Sequence, residues 1–437
     1  VEYLQSLEYL YSRIGQGIKL GLEGISSLLE EVGNPQRSYP VVLVGGTNGK
    51  GSVVAALSSI LSFAGLKVGV YTSPHLVTVR ERIAILEKGR RRIIPPVAFS
   101  ALVERVKKSI VKDSFKYSPT FFEYLTAMAY LYFSQRNVDI AIMEVGLGGR
   151  LDATNVVNSV LSVITSISFD HKEYLGETLR EIAREKAGII KAKTPVISGC
   201  NGSTGEVIKE KCRECSSPLY SLGKDFRVIY FRENLKFSEI GMQGLKQVYT
   251  LKTYLLGEYQ KYNLPLAVAS AEVLSSLFPL INKESICQGI GGTRWPGRME
   301  VVRHRPLIIM DGAHNPRAAQ MLAREIEKKK KFKPGRITLI FGVLKEKERE
   351  EIMKILFPIV DEVRVVSPRS SRAVPAHILQ KEGLCYNENI RVYSEPEESL
   401  KNLPSDSTTF VAGSLYLVGE MRKYILKLRG DRNYERV

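Results

Sequence analysis

The chain has 437 residues, 44% hydrophobic and 25% charged, with a formal net charge of +17 and five cysteines. That length exceeds what one hydrophobic core ordinarily supports, so two domains are expected, and the composition is that of a soluble globular protein. There is no apolar stretch of membrane-spanning length, residues 1–10 carry Glu2 and Glu8 in place of a basic leader, and the odd cysteine count argues against a disulfide framework, which points to the cytoplasm and away from membranes.

Residues 41–45 read as a short buried strand, followed by the glycine-rich run Gly46-Thr47-Asn48-Gly49-Lys50-Gly51-Ser52 and by helical apolar spacing over 52–64 that stops at Gly65. Residues 67–72 read as the next strand and complete a βαβ unit, with further strands at 139–145, 160–166 and 195–198 and helical spacing over 177–191. Residues 225–256 alternate polar and apolar as antiparallel strands do, and an apolar helix follows over 263–278. After Trp295-Pro296-Gly297 a second series places strands at 307–310, 337–341, 362–366 and 408–411. Two separately wound α/β domains are expected, 1–295 with a parallel-rich sheet and 296–437 as the smaller.

The strongest chemical signal is the run from Gly46 to Ser52, set between a strand and a helix. Glycines let backbone N–H groups close around phosphate oxygens, a helix N-terminus favours negative charge, and Lys50 can reach the outer phosphates of a nucleoside triphosphate. Val44 stands where the usual P-loop begins with glycine, and Gly51 separates Lys50 from Ser52. A glycine-rich turn that merely starts a helix is the plainer alternative.

In open α/β sheets ligands sit at the carboxyl ends of the strands, and there the predicted strands deliver Lys50, Ser73, Glu144 and His171. Ser73 and Glu144 offer hard oxygen ligands for magnesium, and His171 a nitrogen ligand for a second ion. Each has a bland reading: Ser73 before Pro74 as a turn residue, Glu144 as a strand-end charge, His171 as a loop histidine. With five histidines and no GxSxG or HExxH motif, the chain suits phosphoryl transfer, in which positioning and charge neutralisation dominate. The basic run 328–331 with Lys333 ends a helical pattern without interleaved aromatics and reads as a solvated helix end, so nucleic-acid binding is not expected. Cys212 and Cys215 form one CxxC without the second ligand pair that structural zinc needs.

The run Gly46–Ser52, the segment Tyr71-Thr72-Ser73-Pro74-His75-Leu76 and MEVGLGGRLDATN over 143–155 resemble signatures of folylpolyglutamate synthases and bifunctional dihydrofolate synthases, of the Mur ligase superfamily. The resemblance continues in order through Phe169-Asp170-His171, Arg184-Glu185-Lys186-Ala187-Gly188, Trp295-Pro296-Gly297-Arg298, Asp311-Gly312-Ala313-His314-Asn315-Pro316 and Gly413-Ser414-Leu415-Tyr416. It implies an N-terminal P-loop ATPase domain, a smaller Rossmann-like C-terminal domain and catalysis between them. Gly49, Lys50, Gly51 and Ser52 match the phosphate loop; Asn263, Arg298, Asp311 and His314 match nucleotide positions; Ser73, Glu144 and His171 match ligands of two magnesium ions. Lys50, Lys186, His171 and Arg298 form the implied catalytic set, with Lys186 at a carbamylated position, although a helical lysine is by composition ordinarily an exposed solubilising residue. Arg298 also reads as a surface ion pair, Asp311 as a helix-cap partner, and Asn315-Pro316 as an N-cap followed by N1.

Gly21-Leu22-Glu23, Thr120-Phe121-Phe122-Glu123 and Leu151-Asp152-Ala153 resemble segments near the pteroate site, making Phe122, Glu123, Leu151, Asp152 and Ala153 candidate substrate contacts; the aromatic pair also fits a helix core. The implied reaction joins L-glutamate to a folate or dihydropteroate carboxylate activated by ATP, in a monomer. Another Mur-type ligase acting on a nucleotide-linked cell-wall precursor, and a P-loop ATPase switch without ligase activity, stand as the alternatives.

Overall fold

A computed structural model describes residues 2–17, 19–110, 117–332 and 335–428. Its first sheet comprises β1 (Val41–Gly45), β2 (Val68–Tyr71), β3 (Ile83–Glu87), β4 (Arg90–Ile93), β5 (Ile140–Glu144), β6 (Leu161–Ile164), β7 (Val196–Ser198) and β8 (Leu219–Ser221). The order is β4-β3-β2-β5-β1-β6-β7-β8, with β3 antiparallel to β2 and β4 and the remaining pairs parallel. Successive side chains of a strand face opposite sides. Val41 and Leu43 therefore enter a core shared with helices Glu23–Glu31, Pro96–Ile110 and Phe121–Gln135, while Val42 and Val44 enter a second core with helices Lys50–Phe63 and Gln260–Leu274. Cover on both faces is why these strands read as unbroken apolar runs.

Helix Lys50–Phe63 is buried from Ser52 through Ser62. It ends as its sequence predicts: Gly65 takes φ +90°, the Leu66 amide donates to Leu61 O at 3.1 Å and the Gly65 amide to Ser62 O at 3.2 Å, a Schellman termination that needs a left-handed residue at that point. A three-stranded antiparallel sheet of β9 (Arg227–Glu233), β10 (Ser238–Gln243) and β11 (Val248–Thr253), in the order β11-β10-β9, closes the second core with Ile240, Met242, Tyr249 and Leu251.

The last sheet contains β12 (Glu300–His304), β13 (Leu307–Met310), β14 (Ile337–Phe341), β15 (Glu362–Val365), β16 (Ile390–Val392) and β17 (Thr408–Ala412), ordered β12-β13-β17-β14-β15-β16. Its edge strand β12 runs antiparallel to β13, and the rest is parallel. Leu339 and Phe341 face one of its cores and Ile340 the other. The α/β class with a parallel-rich first sheet and a second wound sheet is thus what the chain forms.

Several expectations change. The helix predicted over 177–191 spans Leu179–Ala187, started by a capping box between Thr178 and Glu181, and the helix expected over 263–278 spans Gln260–Leu274. The basic run at 328–331 is not a simple solvated helix end: Lys329 is buried with its ammonium 3.8 Å from Glu233, and Lys328 pairs with Glu258 and with Glu325 at 3.2 Å. Val1 and Lys333 lie outside the described residues. All five cysteines are free, with Cys212 buried. Among the described residues no helix is long and apolar enough to cross a membrane.

Candidate active site

Because β2, β5, β1 and β6 are parallel neighbours, their carboxyl ends form one rim. The loop after β1 turns there through Gly46 at φ +132° and Gly49 at φ +90°. A Cβ on Gly46 would stand 2.0 Å from Thr165 Oγ1, and one on Gly49 2.2 Å from Asn263 Oδ1, so neither position admits a side chain. Segment 165–168 after β6 holds the loop: the Thr47 amide donates to Ser166 O at 2.6 Å, Thr47 Oγ1 to Ser168 O at 3.1 Å, and Thr165 Oγ1 to Asn48 O at 2.7 Å. Helix Lys50–Phe63 begins without a side-chain cap, leaving its first N–H groups to an anion. Lys50 Nζ folds over the loop onto Gly46 O at 3.0 Å and Thr47 O at 3.2 Å. The extra glycine also acquires a reason, since a Cβ on Gly51 would lie 2.8 Å from the indole nitrogen of Trp295.

Glu144 is buried at the end of β5 and accepts the Ser73 amide at 3.0 Å. Burial raises its carboxyl above the usual range, opposed by the charges of Lys50, Arg298 and Arg82. His171, in the left-handed region at φ +50°, stands 3.7 Å from Asp170; burial lowers its pKa despite that carboxylate, with Lys347, Lys50 and Lys186 adding to the fall, which keeps the ring neutral and able to act as a ligand. Among the described residues no group of three or more His, Cys, Asp or Glu forms a ready-made metal cage. The donors at the rim still fit magnesium, which takes one or two protein oxygens and completes its shell with phosphate oxygens and water.

Lys186 overturns the compositional reading of an exposed lysine. It is buried, and its Nζ donates to Gly46 O at 3.1 Å, the same carbonyl that Lys50 uses. Burial first, then the neighbouring Lys50, pulls its pKa down to about 7.

The second sheet contributes the opposite wall. Arg298 donates to Gly297 O at 3.1 Å and lines, with Gly51, Ser73, Glu144 and Trp295, a small cavity of about 40 Å³. Asp311 is not the helix-cap partner of the alternative reading: its carboxylate accepts Tyr259 OH at 2.9 Å and the amides of Met299 at 3.0 Å and Ala313 at 2.9 Å, while burial raises its pKa. His314 packs Nδ1 against Gly312 O at 2.7 Å, and burial together with Lys347 lowers its pKa to about 4. Asn263, hydrogen-bonded to Gln260 at 3.2 Å, faces Gly49. Asn315 is an N-cap, accepting the Ala318 amide at 2.9 Å ahead of Pro316.

The candidates on the pteroate side divide. Phe122 lies 5.8 Å from Tyr71, ring to ring, and abuts Gly146, where a Cβ would come within 2.5 Å of it. Glu123 caps helix Phe121–Gln135, its Oε2 accepting the Thr120 amide and hydroxyl at 2.8 Å each. Asp152 ties its own turn, accepting Leu147 N at 2.8 Å and Thr154 Oγ1 at 2.6 Å, with Leu151 half-buried and Ala153 buried beside it. Both carboxylates are thus engaged in holding local structure.

Four polar residues that the sequence did not assign to the site meet here. Asn48 of the loop and Asn315 exchange amide hydrogen bonds at 3.1 and 3.4 Å, and Lys347 Nζ bonds Asp170 Oδ1 at 3.1 Å. Asn48, Asp170 and Asn315 lie inside the family-like motifs; nothing in the sequence marks Lys347. Arg82, too, lies near: it donates to His75 Nδ1 at 3.0 Å and sits over the Phe121 ring at 5.4 Å.

Comparison with known proteins identifies the family. Residues 44–271 match the Mur ligase middle domain and residues 297–415 the Mur ligase glutamate ligase domain. The chain is 35% identical over 433 residues to the dihydrofolate synthase/folylpolyglutamate synthase of Bacillus subtilis, covering 96% of this chain and 98% of that protein. It superposes on Mycobacterium tuberculosis folylpolyglutamate synthase complexed with ADP at a TM-score of 0.87 and 28% identity, covering 97% of this chain and 99% of that one. For Escherichia coli FolC in complex with DHPP and ADP the values are 0.85 and 29%, covering 98% of each chain. With its phosphate loop, its two wound sheets and full-length likeness of this kind, the chain belongs to the folylpolyglutamate synthase/dihydrofolate synthase family of Mur ligases.

Proposed function

We propose that this protein is an ATP-dependent amide-forming ligase that joins L-glutamate to the carboxylate of a folate, of dihydropteroate, or of both. The observation that carries the reading is the meeting of the loop at Gly46 to Ser52 with Glu144 and Ser73 on one wall and Arg298 on the other. In the first step a carboxylate oxygen of the acceptor bonds to the γ-phosphorus of ATP and the bond to the β–γ bridging oxygen breaks, giving an acyl phosphate and ADP. Lys50 and Arg298 balance the charge that shifts onto the phosphate oxygens. The amino nitrogen of glutamate then bonds to the acyl carbon, phosphate departs with its oxygen, and the nitrogen gives up a proton as the amide forms.

Ser73 and Glu144 are the residues that would hold magnesium against the phosphates, and His171 a second ion; magnesium supplies neutralisation of phosphate charge when bound. Asn263, Asp311 and His314 border the nucleotide, and Phe122 with Leu151 to Ala153 border the pterin side. Lys186, poised near neutrality, has the amine form that takes up carbon dioxide; as a carbamate it would turn a cation beside Lys50 into a counter-charge. We place the domain boundary near residue 295 and the protein in the cytoplasm as a monomer engaging neither nucleic acid nor membrane.

The deciding experiment offers ATP, magnesium and glutamate with dihydropteroate and with tetrahydrofolate in separate reactions, reading products by mass spectrometry. A glutamate-dependent mass gain on either acceptor is expected. Turnover only of a cell-wall precursor, or ADP release without any amide product, would overturn the reading.

A further inference from the structure

A second cavity, of about 1200 Å³, opens at the seam between β9, the start of helix Gln260–Leu274 and the last sheet, and none of the site residues described above lines it. Its walls are largely apolar and aromatic: Val228, Tyr230 and Phe231 of the edge strand, Tyr262 of the helix, and Leu307 at the head of β13. Ile229, Leu235 and Tyr262 also line it while 59%, 38% and 46% exposed, so large apolar side chains that the fold leaves open to water gather around one opening.

Charge at the same opening is unbalanced. Five cations line the cavity, Arg227, Lys236, Lys261, Lys328 and Lys329, against two acids, Glu233 and Glu258. Lys261 and Lys328 both pair with Glu258, and Lys329 lies 3.8 Å from Glu233. Arg227 and Lys236 have no acidic partner among the described residues. A roomy aromatic cleft with uncompensated positive charge at its mouth is complementary to a flat organic anion.

The cavity also touches the nucleotide site through one short stretch of chain. Glu258 lines the cavity and donates its amide to Glu325 at 2.8 Å; the next residue, Tyr259, donates its hydroxyl to Asp311 at 2.9 Å. Lys261 and Tyr262 line the cavity, and the following residue, Asn263, stands against Gly49 of the phosphate loop. We propose that this cavity is a second binding site, for a small aromatic anion, linked to nucleotide affinity through residues 258–263.

The test titrates anilinonaphthalene sulfonate into the full chain saturated with ADP, so that the nucleotide cleft is filled. Saturable binding is expected, weakened about tenfold in the double variant Arg227→Glu/Lys236→Glu and unchanged in the control Lys209→Glu/Lys427→Glu, which makes the same change of net charge at exposed positions elsewhere. ADP binding without the probe, followed through Trp295 fluorescence, verifies that each variant is folded. In the unmodified chain, saturating probe should shift the ADP dissociation constant, and ADP should shift that of the probe by the same factor. An isotherm unmoved by the Arg227/Lys236 change overturns the site; an ADP affinity unmoved by the probe overturns the linkage.

Discussion

Replacing Lys186 by Met tests the electrostatics of the phosphate loop without emptying the space the lysine stem fills. Burial and Lys50 pull the Lys186 ammonium from the ordinary lysine value of 10.5 to about 7, so the folded state binds fewer protons than the unfolded chain between those two pH values. The contribution of Lys186 to stability therefore rises with pH across that window, and its burial cost is undiminished below it. At about 1.36 kcal/mol per pH unit the ceiling is about 5 kcal/mol at neutral pH, and relaxation around the charge brings the expected figure to about 2–5 kcal/mol. Removing the ammonium leaves Gly46 O hydrogen-bonded to Lys50 at 3.0 Å, so no buried carbonyl is orphaned. Lys186→Met should consequently be the more stable protein at pH 7 and lose that advantage by pH 10. Urea denaturation in carbon-dioxide-free buffer, followed through Trp295, the one tryptophan of the chain, measures the difference directly. An advantage that stays level from pH 7 to pH 10 would refute a buried, near-neutral Lys186.

Gly49→Ala forces a side chain into a left-handed turn and against Asn263, and should weaken ADP binding by about tenfold or more, measured by fluorescence titration. Glu144→Gln keeps an acceptor for the Ser73 amide but removes the charge; the magnesium concentration needed for half-maximal turnover should rise about 10–100-fold, whereas an unchanged requirement would remove Glu144 from the metal. Asp170 lies well below the usual carboxylate range because Lys347, His171 and His314 outweigh its burial, so it stabilises the fold above its unfolded pKa and loses that contribution as pH falls through the acid range. Lys347→Met should cost about 1–3 kcal/mol at pH 7 and progressively less below pH 4 in the same urea assay; a cost that does not shrink would place the effect elsewhere. Leu57→Ala, in the all-round buried helix behind the loop, should lower stability by about 2–5 kcal/mol.

What the sequence disclosed was the part governed by short range. A strand, a glycine turn and a helix within 24 residues define the phosphate loop, and burial on both faces makes the strands legible as apolar runs. Ser73, Glu144 and His171 were placed because a parallel sheet sends its carboxyl ends to one side, whatever the detailed strand order. Positions decided by distant partners were not readable. Lys186 looks like a solvent-facing helical lysine until Gly46, 140 residues away, is brought beneath it, and Lys329 looks solvated until Glu233 is seated opposite. Asn48 and Asn315, 267 residues apart, carry no local pattern that announces their pairing. For Glu123 and Asp152 motif likeness suggested substrate contacts, and it gave no sign that their carboxylates also hold a capping box and a turn. The irregular Gly51 had a cause as well, but it was the ring of Trp295, far along the chain.

At the phosphate loop the two sheet-bearing halves meet through side-chain amides and ion pairs: Asn48 with Asn315, Asp170 with Lys347 at 3.1 Å, and Lys172 with Glu348 at 3.1 Å. Parting there exchanges protein hydrogen bonds for water at about 1 kcal/mol each, and it also uncovers Leu76, which packs against the core of the last sheet beside Val418. The junction is therefore a latch of mixed make: its ion pairs answer to ionic strength, and the apolar seat of Leu76 does not.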